Sequence, residues 1–294
     1  KSCNSIEGKT MSRGFVTLGI NTDRDRFKYC YALALSIKAI DKDAEVCMVV
    51  DKDKYDEVGS TYKEAFDYIT ELPFGLTSHI DGFHAMNMWQ MVHASPFNET
   101  IYLDADTILR NVDLDLLWDQ FTNHDLAVSS IARTYRNELT DKSYKFEIEQ
   151  HYNLPQNYNN MIYFDNSKDT VLEWFKMADP VLQNWRDVYS TMFKEKKPQT
   201  FDKNLLLNCV THFLDCDNDI SIPVNNLYDI DTKSARLWNK DIPHNWTEMM
   251  NAWYTDDDKF LIENYNIPGG IIHYGDEQFI TEQVLDVLYS RTST

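Results

Sequence analysis

Short apolar runs alternate with stretches of helical periodicity along roughly the first hundred residues, and this alternation restricts the fold more than any other feature of the chain. Phe15-Val-Thr-Leu-Gly-Ile20 is β-prone and is followed by a polar, turn-rich stretch, Asn21 to Asp25. Phe27 to Ile40 then brings apolar residues back near the helical period at Tyr31, Leu35 and Ile37, and Glu45 to Val50 reads as a second, buried strand. Lys52 to Asp67 and Gly82 to Ser95 are expected as helices, the latter with Met86, Trp89, Gln90 and His93 on adjacent turns, and Thr100 to Leu103 as the next strand. Parallel strands must be joined by crossovers of a dozen or more residues, usually helices, so this order predicts an α/β fold: a Rossmann-like, mostly parallel central sheet flanked by helices.

Beyond Asp113 the pattern is mixed, with strands expected at Leu126–Ile131 and Met161–Phe164 and helices at Leu114–Phe121, Thr170–Met177 and Lys203–Phe213. There is no internal repeat. Pro155, Pro223, Pro243 and Pro268-Gly269-Gly270 punctuate the second half without forming a linker, so residues 11–294 are expected to be a single α/β domain with an irregular C-terminal portion. Residues 1–10 lack an apolar signal core and precede Met11; they read as a flexible leader or an expression remnant.

With 294 residues, 43% hydrophobic and 13% aromatic, the chain can bury a substantial core. Its longest apolar stretch, around Tyr29 to Ile37, falls far short of the roughly 20 residues of a membrane-spanning helix, so no membrane association is expected. Five cysteines, odd in number and without a C-x-x-C pair, suit core thiols in a reducing compartment, and a cytoplasmic location is expected. Asn98-Glu99-Thr100 and Asn245-Trp246-Thr247 match the glycosylation pattern but, without a secretory signal, read as chance matches. The formal charge of −19 repels polyanions and disfavours extensive binding to a nucleic-acid backbone, although Arg133, Arg136, Lys142 and Lys145 are clustered enough to form a local basic patch.

The most informative segment is Ile101-Tyr-Leu-Asp104-Ala-Asp106-Thr-Ile-Leu109, an apolar strand that runs directly into two carboxylates separated by one small residue. Ligands in open α/β sheets bind at the carboxyl ends of strands. Two hard oxygen ligands there suit Mn²⁺ or Mg²⁺, an ion able to bridge a diphosphate, and Ala105 keeps the backbone accessible. An Asp-x-Asp alone is a weak signal, since acidic pairs often cap helices, and Asp113 and Asp115 at the same spacing are expected to start a helix. A second apolar run, Gly269-Gly-Ile-Ile-His273-Tyr-Gly275, ends in a histidine whose imidazole would complete a metal site, although a strand-end histidine taken alone is more often a structural residue.

These segments together resemble the glycogenin-like retaining glycosyltransferases of family eight, which have the GT-A fold. Phe15-Val-Thr-Leu18 is similar to their opening strand, the stretch from Trp89 to Asn111-Val-Asp-Leu-Asp-Leu-Leu-Trp118 to their metal-motif region, and His273-Tyr-Gly275 to their late His-Phe-x-Gly element. The resemblance implies that Asp104, Asp106 and His273 ligate Mn²⁺ (or Mg²⁺) bridging the phosphates of a UDP-sugar, with Leu18, Ile20 and Asn21 bordering the uridine and Ala105 and Gly275 at the donor. Tyr158-Asn159-Asn160 is similar to a Phe-Asn-Ser segment, which implies Asn159 and Asn160 beside the donor sugar. Phe201-Asp202-Lys-Asn-Leu-Leu-Leu-Asn208 is similar to an Asp-Gln helix start, which implies that Asp202 meets sugar hydroxyls; an N-cap role for Asp202 fits equally. Asp202 and Asn160 are then the expected catalytic residues, and a hexose, glucose favoured, the expected sugar.

The chain departs from that family at Ala85, where a lysine is usual, at Met161 in place of a glycine, and at Asp276-Glu-Gln-Phe279, which replaces a lysine and Pro-Trp. Two other classes fit part of the sequence. Asp104-Ala-Asp-Thr107 matches the Asp-x-Asp-x-Thr of haloacid-dehalogenase-like phosphatases, with Asp104 as nucleophile, and seven tryptophans and seventeen tyrosines fit a non-catalytic carbohydrate-binding module. The acceptor is left open between a saccharide, a protein and a modified nucleic-acid base, and no feature of the sequence speaks to oligomeric state.

Overall fold

The computed structural model describes residues 11–20, 25–76, 84–230, 252–274 and 279–292. Its centre is a seven-stranded sheet. β1 (Met11–Gly19) lies between β2 (Val46–Val50) and β4 (Phe97–Leu103), both parallel to it, and β3 (Tyr68–Glu71) extends the parallel set beyond β2. On the other side β7 (Tyr158–Asp165) runs antiparallel to β4 and to β6 (Leu126–Ser129), and β8 (Ser221–Ile222) closes the edge, giving the order β3-β2-β1-β4-β7-β6-β8. The mostly parallel sheet expected from the alternating sequence is the one observed.

Its inner strands are buried on both faces, as a doubly covered sheet requires, and the edge strands β3 and β8 are half-buried. Successive residues feed opposite cores: Phe15, Val46 and Met48 pack on one side with α1 (Arg26–Lys38), and Val16, Leu18, Cys47 and Val49 on the other. That second core includes Trp174 and Phe175 of α3 (Asp169–Gln183) and Leu205 to Leu207 of α4 (Lys203–Phe213); α2 (Leu114–Asp119), N-capped by Asp113, buries Leu117 and Trp118 with the first. Ten of the thirteen residues of α1 are buried, so this helix is apolar nearly all round and lies inside the molecule.

α1 is covered on its far side by a small three-stranded sheet, β5 (Thr107–Arg110), β13 (Gly270–His273) and β9 (Leu227–Asp229), in the order β5-β13-β9. The Ser36 hydroxyl fastens helix to sheet, donating to the Leu33 carbonyl at 2.7 Å and accepting the Leu109 amide at 2.9 Å. A separate antiparallel meander, β10 (Ala252–Tyr254), β11 (Phe260–Ile262) and β12 (Tyr265–Ile267), precedes β13, and α5 (Glu282–Thr292) packs on α1 and β10.

Two helix expectations are corrected. Lys52–Asp67 forms only a 3₁₀ turn, Tyr55–Glu57, and one helical turn, Ser60–Lys63, because Gly59 adopts an extended conformation between them. Within Gly82–Ser95, residues 84–90 wind as a 3₁₀ helix and only Met91–Ala94 is α-helical. Cys30, Cys47, Cys209 and Cys216 are free thiols, the first three buried, while Cys3 lies outside the described residues. No described helix is long and apolar enough to cross a membrane.

Candidate active site

The large sheet hands the chain to the small one at Asp104-Ala105-Asp106. β4 ends at Leu103 and β5 begins at Thr107, so the two carboxylates occupy the corner between sheets. The corner is pinned from both sides: the Asp104 amide donates to the Asn160 carbonyl of β7 at 3.0 Å, and the Tyr274 amide, just past β13, donates to the Asp106 carbonyl at 2.9 Å.

Register within the small sheet delivers the histidine. His273 is paired with Thr107 on one neighbour and with Asp229 on the other, at the end of the sheet that abuts the corner. Ligand atoms of Asp104, Asp106 and His273 all lie within 4.8 Å of one another, a group that could hold a metal ion. The His273 Nδ1 meets Asp229 Oδ1 at 2.9 Å, and Asp229 Oδ2 meets the Lys145 ammonium at 2.7 Å. This fixes the ring so that Nε2 faces the carboxylates, 3.4 Å from Asp106 Oδ1 and 3.8 Å from Asp104 Oδ2.

Burial alone would lower the pKa of His273, but Asp106 and Asp229 on its two sides outweigh burial and raise it to about 10. Burial likewise works to raise the carboxylates; Asp106, facing His273 and Arg26, and Asp229, facing Lys145 and His273, are nonetheless held well below the usual carboxylate range.

Asp104 is engaged from the other side. Tyr102 Oη donates to its Oδ1 at 2.8 Å, and the Lys203 ammonium, 5.7 Å from the centre of the Tyr102 ring, bridges both carboxylate oxygens. Arg26, the first residue of α1, approaches Asp106 Oδ2 at 3.8 Å. Together with Leu18 and Ala85 these groups line a cleft of about 150 Å³. A larger hollow of about 350 Å³ lies against α1, lined by Tyr31, Lys38, Glu64 and Tyr289 among others, and holds none of the corner residues.

No family model and no curated protein matches the sequence. Solved structures do. The galactosyltransferase LgtC, in complex with donor and acceptor sugar analogues, superposes with a TM-score of 0.54 at 13% identity over 95% of each chain. Mouse xyloside xylosyltransferase 1 gives 0.50 at 11% identity over 92% of this chain and all of its own, and the Streptococcus pneumoniae glycosyltransferase GlyE 0.50 at 12% over 97% of this chain and 61% of its own. The fold is that of the GT-A glycosyltransferases. A likeness this low in identity establishes the fold alone.

On this GT-A frame the sequence-predicted residues are distributed unevenly. Leu18, Ala105, Asp104 and Asp106 line the cleft, and Ile20 is buried just beyond the end of β1. Asn160 is 2% exposed, with its side-chain Oδ1 buried and unpartnered among the described residues. The Asn159 side-chain nitrogen lies 3.2–3.4 Å from the Asn157 and Asn204 carbonyls and from Asn208 Oδ1, while its Oδ1, like that of Asn160, is buried and unpartnered among the described residues. Asp202 caps α4, its Oδ1 accepting the Leu205 amide at 3.1 Å. Asn21 and Gly275 lie outside the described residues.

Arg26, Lys203 and Asp229 were not singled out from sequence. Arg26 opens the first helix after β1, and Lys203 follows Asp202, so position relative to strand and helix ends could have flagged both; Asp229 belongs to no recognisable motif. The expected basic patch is partly dismantled: Lys145 turns inward to Asp229, and Arg133 donates to the Asn225 and Asn137 carbonyls.

Proposed function

We propose that this chain is a metal-dependent glycosyltransferase that moves a hexose, glucose favoured, from a UDP-sugar to an acceptor with retention of configuration. The observation that carries the proposal is the convergence of Asp104, Asp106 and His273 at the corner of a GT-A fold. Two carboxylates and an imidazole whose far nitrogen is anchored by a carboxylate form a donor set that fits Mn²⁺ or Mg²⁺. Such an ion, when bound, neutralises charge that builds on the departing diphosphate.

The protein's own groups complete the arrangement. Arg26 adds positive charge beside the cleft, and Leu18 and Ile20 offer an apolar wall for the base. Asn160 would spend its unpartnered Oδ1 on the donor sugar, Asp202 would steer the sugar hydroxyls from the start of α4, and Asn159, through its grip on Asn204 and Asn208, would hold that helix start against β7. Asn21 and Gly275 are proposed to complete the donor pocket. LgtC, bound to donor and acceptor sugar analogues, is a galactosyltransferase, and a saccharide acceptor is the favoured one for this chain; a protein or a modified base are the other classes to assay.

Thermal unfolding with a panel of nucleotide sugars, with and without Mn²⁺, tests the reading, because a ligand that binds only the folded state raises the midpoint. A rise with a UDP-sugar that requires Mn²⁺ is expected, together with loss of donor hydrolysis in folded Asp104→Asn, Asp106→Asn and His273→Ala variants. No response to any donor would sink it and favour the binding-module alternative.

A further inference from the structure

We propose that Lys203 is an internal cation that holds Asp104 until a divalent ion takes that carboxylate, and that its ammonium then moves to the donor's diphosphate, so that metal and nucleotide bind strongly together and weakly apart. This rests on the glycosyltransferase reading given above.

Lys203 is the first residue of α4, next to the Asp202 cap that accepts the Leu205 amide, and its side chain is only 11% exposed. Its ammonium bridges both oxygens of Asp104, and Oδ1 also accepts from Tyr102. The carboxylate that must supply a metal ligand therefore already has its oxygens engaged, and Lys203 has to yield for an ion to enter. A nearly buried ammonium stripped of its partner is strongly disfavoured, so Lys203 needs another anion. Asp106 is already faced by His273 and Arg26. The cleft that Lys203 itself lines is the remaining direction, and the anion the proposed donor brings there is a diphosphate.

Charge counting gives the same result. Two carboxylates, Asp104 and Asp106, already face the two permanent cations Lys203 and Arg26. A divalent ion alone would leave the corner strongly positive, whereas the ion and a diphosphate entering together bring charges that cancel. Linkage then requires each ligand to raise the affinity of the other by the same factor.

Calorimetric titration of Mn²⁺ into the full chain, with and without UDP, measures this in the wild type, Lys203→Met and Lys203→Arg. UDP is expected to raise Mn²⁺ affinity by roughly 30-fold or more in the wild type. Lys203→Met should bind Mn²⁺ alone about 10-fold more tightly than the wild type and retain less than about 5-fold coupling to UDP. Lys203→Arg, which keeps the charge, should bind Mn²⁺ alone as weakly as the wild type, and all three should unfold cooperatively. Equal or weaker Mn²⁺ affinity in Lys203→Met, or Lys203→Arg matching Lys203→Met, would overturn the role of Lys203 and leave the metal site intact. Absence of Mn²⁺ binding in every protein, with or without UDP, would overturn both readings.

Discussion

His273 keeps its proton in surroundings that oppose it, because Asp106 and Asp229 reward the imidazolium more than burial penalises it. The folded pKa lies above the unfolded one, so the folded state binds the extra proton between them. The stabilisation is complete below about pH 6.5 and is lost as pH climbs through about 10. In chelator, the wild type should therefore lose stability over that window with a slope of at most about 1.4 kcal/mol per pH unit, and His273→Gln should not show that component. Urea unfolding at several pH values reads it; parallel slopes in the two proteins would place the imidazole outside the Asp106–Asp229 pair. Asp104, Asp106 and His273 could be picked from sequence because each ends an apolar run, where strands deliver ligands. Arg26 and Lys203 carry only a weaker mark, their places beside strand and helix ends, and Asp229 carries none, since the chain holds 28 basic and 47 acidic residues and only the topology distinguishes the few that reach the corner.

The small sheet depends on one close approach. A Cβ on Gly270 would lie 2.4 Å from the Asn226 carbonyl oxygen and 2.6 Å from the Tyr228 ring, and the carbonyl is backbone that cannot swing aside. Gly270→Ala is expected to cost about 1–3 kcal/mol and, by pushing β13 away from β9, to draw His273 from its ligand position. Calorimetry should show weaker Mn²⁺ binding along with the lost stability; lost stability with unchanged Mn²⁺ affinity would mean that the strand shifts without its histidine. At this scale the reading from sequence was good where apolar period and caps agreed, as in α4, and poor where they did not. The edge strand β3 was missed because all four of its residues are half-buried and carry little alternation. β5 was not separated from β4 because both are apolar and the break between them is the acidic corner itself.

Across the whole molecule the formal charge of −19 gathers divalent cations and repels free anions, an effect that salt screens over distances of about 10 Å. Raising KCl from about 10 mM to about 0.3 M should weaken Mn²⁺ binding several-fold, measured by titration. An affinity indifferent to salt would show that the corner residues alone set it. The doubly covered sheet was legible because strand and helix periods alternate early in the chain. The small sheet was not, because it joins segments more than a hundred residues apart, from Thr107 to His273.

Asp104 belongs by its amide to the large sheet, and Asp106 by its carbonyl to the chain leaving the small one, so their spacing records how the two sheets are aligned. A copy that assembles either sheet correctly but seats them out of step carries the same residues and has no usable ligand set. Competence thereby requires that segments far apart in the chain have met in register.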